Sequence, residues 1–420
     1  MNSTLKFLIS LISIVLIVLL LVFKPWKSEQ RKPIVQSILT PEKPLPNWVT
    51  GYLDFIEQEL DSNWNVGAAI TIVQNNEVLV TQTYGYRKVG NPEKVDEHTV
   101  FRIASVSKGF AGVLGCLLEQ DSIFSLNDRV VEYLPGFRLK DTLNTDSVTI
   151  RNTLSHTSGL VPHAFDNLIE DGVPLGKIIE QLAYADISAP PGLLYSYQNV
   201  IFSLIDTIVR TSSGEPYSEL LEQKIFKPLH MKNASATAEI FEKKKSNVAY
   251  PHARIDSGYR SLPLNLGYYN IAPAAGVNVS ISDMSKWLLA LLGNNPDVLD
   301  SSVLHEIYEP VVVSPLKRRY TRYWDKIDEK YYGLGWRIYM YKGRKIIYHG
   351  GYVKGYRAEI GFCPEENIGM VFLQNSPNRV ASICVPAFFD TWFAQKDSLS
   401  TDTIKKSFEL RYSFLDDSVE

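Results

Sequence analysis

The stretch FRIASVSKGF, residues 101–110, sets two serines and a lysine within four positions. A serine hydroxyl is a weak nucleophile until a base takes its proton. A lysine is such a base only when neutral, and burial or nearby positive charge brings that about. On a helix, residues three apart share a face and adjacent ones do not, so Lys108 neighbours Ser105 and not Ser107. A serine at a helix start also lies among free backbone N–H groups, which suit a developing oxyanion. Alone the S-x-x-K spacing is weak, because an N-cap serine beside a solvated lysine gives the same letters.

Two downstream stretches offer partners. In PPGLLYSYQNVIFSLI, Tyr197 and Asn199 follow a Pro-Pro-Gly turn and precede an apolar run. A phenol relays protons, and an amide orients a lysine or a carbonyl. In IIYHGGYVKGYRAEIGF, His349-Gly350-Gly351 ends one strand and opens a turn. The two glycines leave room for a backbone to lie close, and the histidine is a hydrogen-bond donor or proton shuttle. Each has a plain structural alternative, a packed loop tyrosine and a hairpin turn with a surface histidine. His156 and Ser158 in LSHTSGL read as part of a structural turn, and Asp283 as a first-turn helix acid. Lys354 and Arg357 read as solvated edge residues.

Elements must hold these residues together. NWVTGYLDFIEQEL carries helical spacing with Asn47 as N-cap. Two β-rich runs flank Asn75-Asn76, a hairpin signal. Val106, Phe110, Val113, Leu114, Leu117 and Leu118 predict a buried helix behind Ser105. Residues 120–330 mix helices with loops. SISDMSKWLLALLG is the clearest helix there, capped by Ser282 or Ser280 and stopped by Gly293. Four strand-like runs follow between Gly333 and Asn375, and ASICVPAFFDTWFAQ closes as an amphipathic helix. Strands at both ends of a helical middle predict a discontinuous α+β fold of α/β-sandwich type. Its antiparallel sheet comes from the N- and C-terminal parts of the domain, is flanked by helices, and carries a mainly helical inserted subdomain.

Composition narrows the function. The chain has 420 residues and a net charge of -3, and no basic stripe or Lys/Arg run stands out, so nucleic acid is no expected partner. Cys116, Cys363 and Cys384 form no CxxC, and no HExxH occurs, so neither disulfides, a metal nor another cofactor is implied. Phe7 to Phe23 runs 17 residues without a charge, a helix of roughly 25 Å. No small-residue cleavage site follows, which favours an uncleaved single-pass membrane anchor over a removed signal. The expected layout is an anchor or signal over 1–24, a linker over 25–46, a catalytic domain over 47–395 and a polar tail over 396–420.

S-x-x-K, Y-x-N and H-x-G in this order resemble the serine β-lactamase-related superfamily. The branch is that of class C β-lactamases, D-Ala-D-Ala carboxypeptidases and family VIII-type esterases. TVFRIASVSKGF, TIRNTLSHTSGL, PAAGVNVSISDMSKWLLALL and YHGGYVKGY also resemble it, and the likeness covers about residues 50–392. It implies a β-lactamase/transpeptidase-like fold and a serine hydrolase acting through an acyl-enzyme on an ester or amide. Peptidase, carboxypeptidase, esterase or weak β-lactamase activity would each fit. The alternative is a non-catalytic penicillin-binding-like sensor or ligand-binding module. By this resemblance Ser105 is the nucleophile, Lys108 its base partner and Tyr197 the proton-transfer phenol. Which of Lys108 and Tyr197 is the general base stays open. Asn199, His349, Gly351 and Tyr352 bind or orient substrate, and the N–H groups of Ser105 and Tyr352 form the oxyanion hole. His349 stands where the family often has lysine. The substrate is a small molecule or peptide with an ester or amide carbonyl, met outside the cytoplasmic membrane.

Overall fold

The computed structural model describes residues 35–38, 44–243, 246–256, 258–315, 321–325 and 327–397. Asn75 and Asn76, at φ 49° and 69°, turn the chain between strands β2 (Gly67–Gln74) and β3 (Glu77–Gly85). Asparagine tolerates left-handed backbone, so a two-residue loop closes this hairpin. β1 (Val35–Ile38) pairs along the outer side of β3. The other strands of the same sheet are β4 (Val312–Val313), β5 (Ile327–Tyr332), β6 (Arg337–Tyr341), β7 (Arg344–Val353), β8 (Tyr356–Cys363) and β9 (Ile368–Gln374). Together they form one antiparallel sheet in the order β1-β3-β2-β9-β8-β7-β6-β5-β4. β2 and β9 pair as its third and fourth strands, with Ala68 opposite Gln374 and Gln74 opposite Ile368.

β2 reads GAAITIVQ without polar alternation because both of its faces are covered. Ala68, Ile70 and Ile72 pack with helix α1 (Asn47–Ser62) and the last helix, while Ala69 and Val73 join the core of the helical middle region. That middle contributes α2 (Ser107–Gln120) and α3 (Ile281–Leu291), tied by the stacked rings of Phe110 and Trp287, 4.2 Å apart. All six apolar residues expected behind Ser105 are buried in that core. Burying one phenylalanine contributes roughly 1.5–3 kcal/mol, so this contact anchors the first turn of α2. Ser280, not Ser282, caps α3, in a reciprocal capping box with Asp283.

Three expectations change. Pro46 occupies the N-cap of α1, and Asn47 is its first helical residue. The last helix, α4 (Val380–Lys396), is buried on most sides rather than amphipathic. It lies between the sheet and α1, where the Tyr52 hydroxyl donates to the Cys384 carbonyl at 2.9 Å and Phe388 meets Trp48 and Tyr52. Finally, no helix among the described residues is long and apolar enough to cross a membrane. The segment read as an anchor, Phe7 to Phe23, lies outside the described residues. The transmembrane helix, the membrane as partner and a location outside the cytoplasmic membrane are therefore withdrawn. The three cysteines are free and buried, as expected of small core residues.

Candidate active site

Ser105 sits in a single 3₁₀ turn, Ala104–Val106, and α2 begins only at Ser107. In that tight geometry residues three apart eclipse, and Ser105 Oγ lies 3.3 Å from Lys108 Nζ. Ala104 holds φ 48°, a left-handed conformation costing a non-glycine residue about 1–2 kcal/mol. The turn is pinned from two sides. The Ile103 N–H donates to the Val277 carbonyl at 3.2 Å, and β7 presses against it at Gly351. Ser107 points elsewhere: it is buried, and its Oγ accepts the Val277 N–H at 3.0 Å.

Lys108 is fully buried. Its Nζ donates to Asn199 Oδ1 at 2.8 Å and to the Ala274 carbonyl at 3.0 Å. Burial drives its proton affinity well below the usual lysine range; the Asp166 carboxylate opposes the shift, and the Arg337 guanidinium adds to it. The Tyr197 hydroxyl donates to Ser105 Oγ at 2.9 Å from the other side. Burial pushes that phenol well up, so it keeps its proton at neutral pH. Asn199, opening the short helix Asn199–Phe202, donates through Nδ2 to Asp166 Oδ2 at 2.9 Å.

His349 is buried on β7. Its Nδ1–H donates to the Gly350 carbonyl at 2.9 Å, which leaves Nε2 to accept from the Tyr332 hydroxyl at 3.2 Å. Burial first, then Arg337 and Lys108, hold it well below the usual histidine range, so it is neutral. The cation here is Arg337 at the start of β6, whose Nη1 lies 3.5 Å from His349 Nδ1 and whose guanidinium lies 5.9 Å from the centre of the Tyr197 ring.

The two glycines after His349 face opposite sides of β7. A Cβ on Gly350 would stand 2.5 Å from Glu359 Oε2 and 2.8 Å from the Tyr348 hydroxyl. A Cβ on Gly351 would stand 2.2 Å from the Ile103 carbonyl oxygen and 3.2 Å from the Ser105 nitrogen. The room left by the missing side chains is thus filled by protein. Tyr352 follows on the strand and is 62% exposed.

Lys354 is exposed as expected, but Arg357 is not a solvated edge residue. Ala358, Ile360 and Phe362 face the helical core, so Arg357 points to the other side of the sheet. There it pairs with buried Glu359 at 2.6 Å and reaches Ser382 of α4. His156 and Ser158 are buried in their turn; His156 Nδ1 accepts the Gln198 N–H at 3.1 Å, and its ring packs 4.3 Å from that of Tyr197. Sequence reasoning missed Asp166, His163 and Arg337. His163-x-x-Asp166 carried a findable three-residue spacing, whereas Arg337 in GLGWRIYMY carried no local signal. Among the described residues no group of three or more His, Cys, Asp or Glu side chains is placed to hold a metal ion.

The chain resembles known proteins over most of its length. It is 27% identical over 336 residues to the "Unguisins hydrolase ungD'" of Aspergillus campestris (strain IBT 28561), covering 77% of this chain and 61% of that protein. It is 24% identical over 324 residues to "Protein flp" of Staphylococcus aureus (strain NCTC 8325 / PS 47), covering 76% and 61%. The alignments thus span under two thirds of these curated relatives. An octameric penicillin-binding protein homologue from Pyrococcus abyssi shares the fold with a TM-score of 0.73 at 24% identity, covering 87% of this chain and 80% of that one. A penicillin-binding protein from Bacillus halodurans shares it at 0.63 and 21%, covering 78% and 97%. The Beta-lactamase family model matches residues 54–385, four fifths of the length, and with the α+β sheet architecture already described it establishes that the chain belongs to the Beta-lactamase family.

Proposed function

We propose that the protein is a serine hydrolase that cleaves an ester or amide through an acyl-enzyme on Ser105. The observation that carries the reading is the lysine with three neighbours: Asn199 Oδ1 at 2.8 Å, the Ala274 carbonyl at 3.0 Å and Ser105 Oγ at 3.3 Å. A neutral amine has two N–H bonds and one lone pair. The two carbonyl acceptors take the N–H bonds, so the lone pair is left for the serine proton.

In this reading Lys108 is the general base, since Tyr197 holds its own proton too tightly for that task. The Ser105 proton passes to Nζ as Oγ bonds to the substrate carbonyl carbon. The Ser105 and Tyr352 N–H groups receive the oxyanion. Tyr197 gives its proton to the leaving group and regains one from the Lys108 ammonium, which breaks the carbonyl–leaving-group bond and leaves the acyl-serine. Water then attacks the ester, the same proton path runs again, and the acid product and free serine are released. Gly351 serves by letting β7 close on the serine turn. Neutral His349 orients through Tyr332 and Arg337, and Arg337 supplies positive charge suited to a substrate carboxylate.

The test is labelling with a fluorophosphonate and a fluorescent penicillin, beside turnover of p-nitrophenyl esters, D-Ala-D-Ala peptides and nitrocefin. Label and turnover are expected in the wild type and not in Ser105→Ala. Folded protein that takes no Ser105-dependent label overturns the acyl-enzyme reading and favours a ligand-binding module.

A further inference from the structure

The loop that presents Tyr197 and Asn199 is gripped residue by residue by one neighbouring segment, 160–166. The Ser196 hydroxyl donates to the Leu160 carbonyl, and the Gln198 side-chain amide to the Val161 carbonyl. The His163 N–H donates to the Tyr197 carbonyl at 2.9 Å. Asn199 Nδ2 donates to Asp166 Oδ2 at 2.9 Å, and the same oxygen meets His163 Nδ1 at 2.8 Å. The segment holds two non-glycine residues in left-handed backbone, His163 at φ 60° and Phe165 at φ 63°. Such strain costs about 1–3 kcal/mol per residue and persists only where the surroundings over-determine it.

An amide has two ends, and either could face a lysine. Asp166 accepts only, so it takes the Nδ2 end of Asn199 and turns Oδ1 toward Nζ. Asp166 also places a full negative charge one amide beyond that Nζ. Its second oxygen, Oδ1, is buried with no hydrogen-bond partner among the described residues. We infer that Asp166 is a positioning residue for the Ser105–Lys108 pair, fixing the Asn199 amide and thereby both the place and the charge state of the lysine. This rests on the hydrolase reading above.

The groups around the pair define what a pH experiment reads. Lys108 is faced by Tyr197, Arg337, His156, His349 and, through Asn199, by Asp166. Asp166 is faced by His163 and Tyr268, and the Tyr268 hydroxyl is held by Glu170 at 2.8 Å. Of these, Asp166 favours the charged lysine while Arg337 disfavours it. Removing the carboxylate charge therefore extends the neutral lysine to lower pH.

The experiment follows the rate of Ser105 labelling by a fluorophosphonate, and p-nitrophenyl ester turnover, from pH 4 to 9 in the whole chain. Asp166→Asn is expected to lower kcat about tenfold at neutral pH with little change in KM, and to move the acid limb about one pH unit lower. His163 is more than half exposed, so His163→Arg is a surface change that masks the same carboxylate with a permanent cation. It is expected to shift the limb in the same direction, and it carries the test if Asp166→Asn fails to fold. Asp166→Glu, which keeps the charge, should return the limb toward the wild type. A limb that stays in place in Asp166→Asn, or in His163→Arg if that variant alone folds, overturns the inference while the hydrolase reading stands. A wild type without Ser105-dependent label overturns both.

Discussion

The two glycines of His-Gly-Gly allow a one-methyl test of what β7 does. In Gly351→Ala the new Cβ would lie 2.2 Å from the Ile103 carbonyl oxygen, where real contacts essentially never fall below 3.0 Å. Ile103 is backbone in a buried turn and cannot rotate away, so strand and serine turn must separate by roughly 0.8 Å, the gap between those two distances. A displacement near 1 Å at a catalytic group costs about 100-fold in rate, or about 2.7 kcal/mol of transition-state stabilisation. In Gly350→Ala the Cβ meets Glu359 Oε2 at 2.5 Å instead, on the face away from Ser105. There it strains the Tyr348–Glu359 and Arg357–Glu359 contacts of 2.7 and 2.6 Å, and losing a buried pair of that kind costs up to about 3–5 kcal/mol of stability. The assay is p-nitrophenyl ester turnover per fluorophosphonate-titrated site, beside thermal melting. Gly351→Ala should lose kcat/KM together with melting temperature, because backbone must move; Gly350→Ala, which meets only side-chain ends, should keep most of its rate and lose stability only as far as the buried Glu359 contacts are strained. A Gly351→Ala enzyme within twofold of wild type, or a greater rate loss in Gly350→Ala, refutes the reasoning.

Ser107→Ala should keep Ser105 labelling while losing about 1–3 kcal/mol in a urea melt, because the buried Val277 N–H loses its acceptor. Full loss of label in that variant would reverse the choice between the two serines. Arg337→Leu should lower kcat/KM for a peptide ester with a free carboxylate about tenfold more than for its amidated twin, the scale of one charged hydrogen bond; equal losses would remove Arg337 as the anion contact. His252 is fixed on both ring nitrogens, accepting the Val89 N–H at 3.0 Å and meeting the Asn375 carbonyl at 2.8 Å, and burial holds it down to about 4 from 6.5. Its neutral form is the folded form, so stability is whole above pH 6.5 and falls as the unfolded chain alone takes up a proton. The loss is about 2 kcal/mol by pH 5 and levels off below pH 4. A melting temperature that does not fall between pH 7 and 5 would contradict it.

What could be read from the sequence was whatever local spacing encodes. Ser105 with Lys108, Tyr197 with Asn199, and the Asn75-Asn76 hairpin each lie within a few residues of chain. The pairing of the N- and C-terminal parts of the domain was also legible, because β-like runs flank a helical middle. Arg357 was misplaced because strand parity decides its side, and parity needs the register of β8 against β9. Arg337 was invisible because its role depends on His349 one strand over and Tyr197 far away in sequence. The apolar run Phe7 to Phe23 had length and composition but no element to be checked against among the described residues. α4 misled in another way: a helix enclosed by sheet and helix shows no polar face to its own sequence.

β2 and β9 are neighbours inside the sheet, although nearly 300 residues of chain separate them. During synthesis the β2–β3 hairpin therefore waits with an open edge until Ile368–Gln374 emerges, and the core of the helical middle waits with it, because Val371 and Leu373 complete that core. Closing so long a loop is slow, and an unpaired apolar strand is the surface on which chains aggregate. A chain cut short before β9 would hold Ser105, Lys108, Asp166, Tyr197, Asn199, Arg337 and His349, and lack the strand that joins the β2–β3 hairpin to the rest of the sheet.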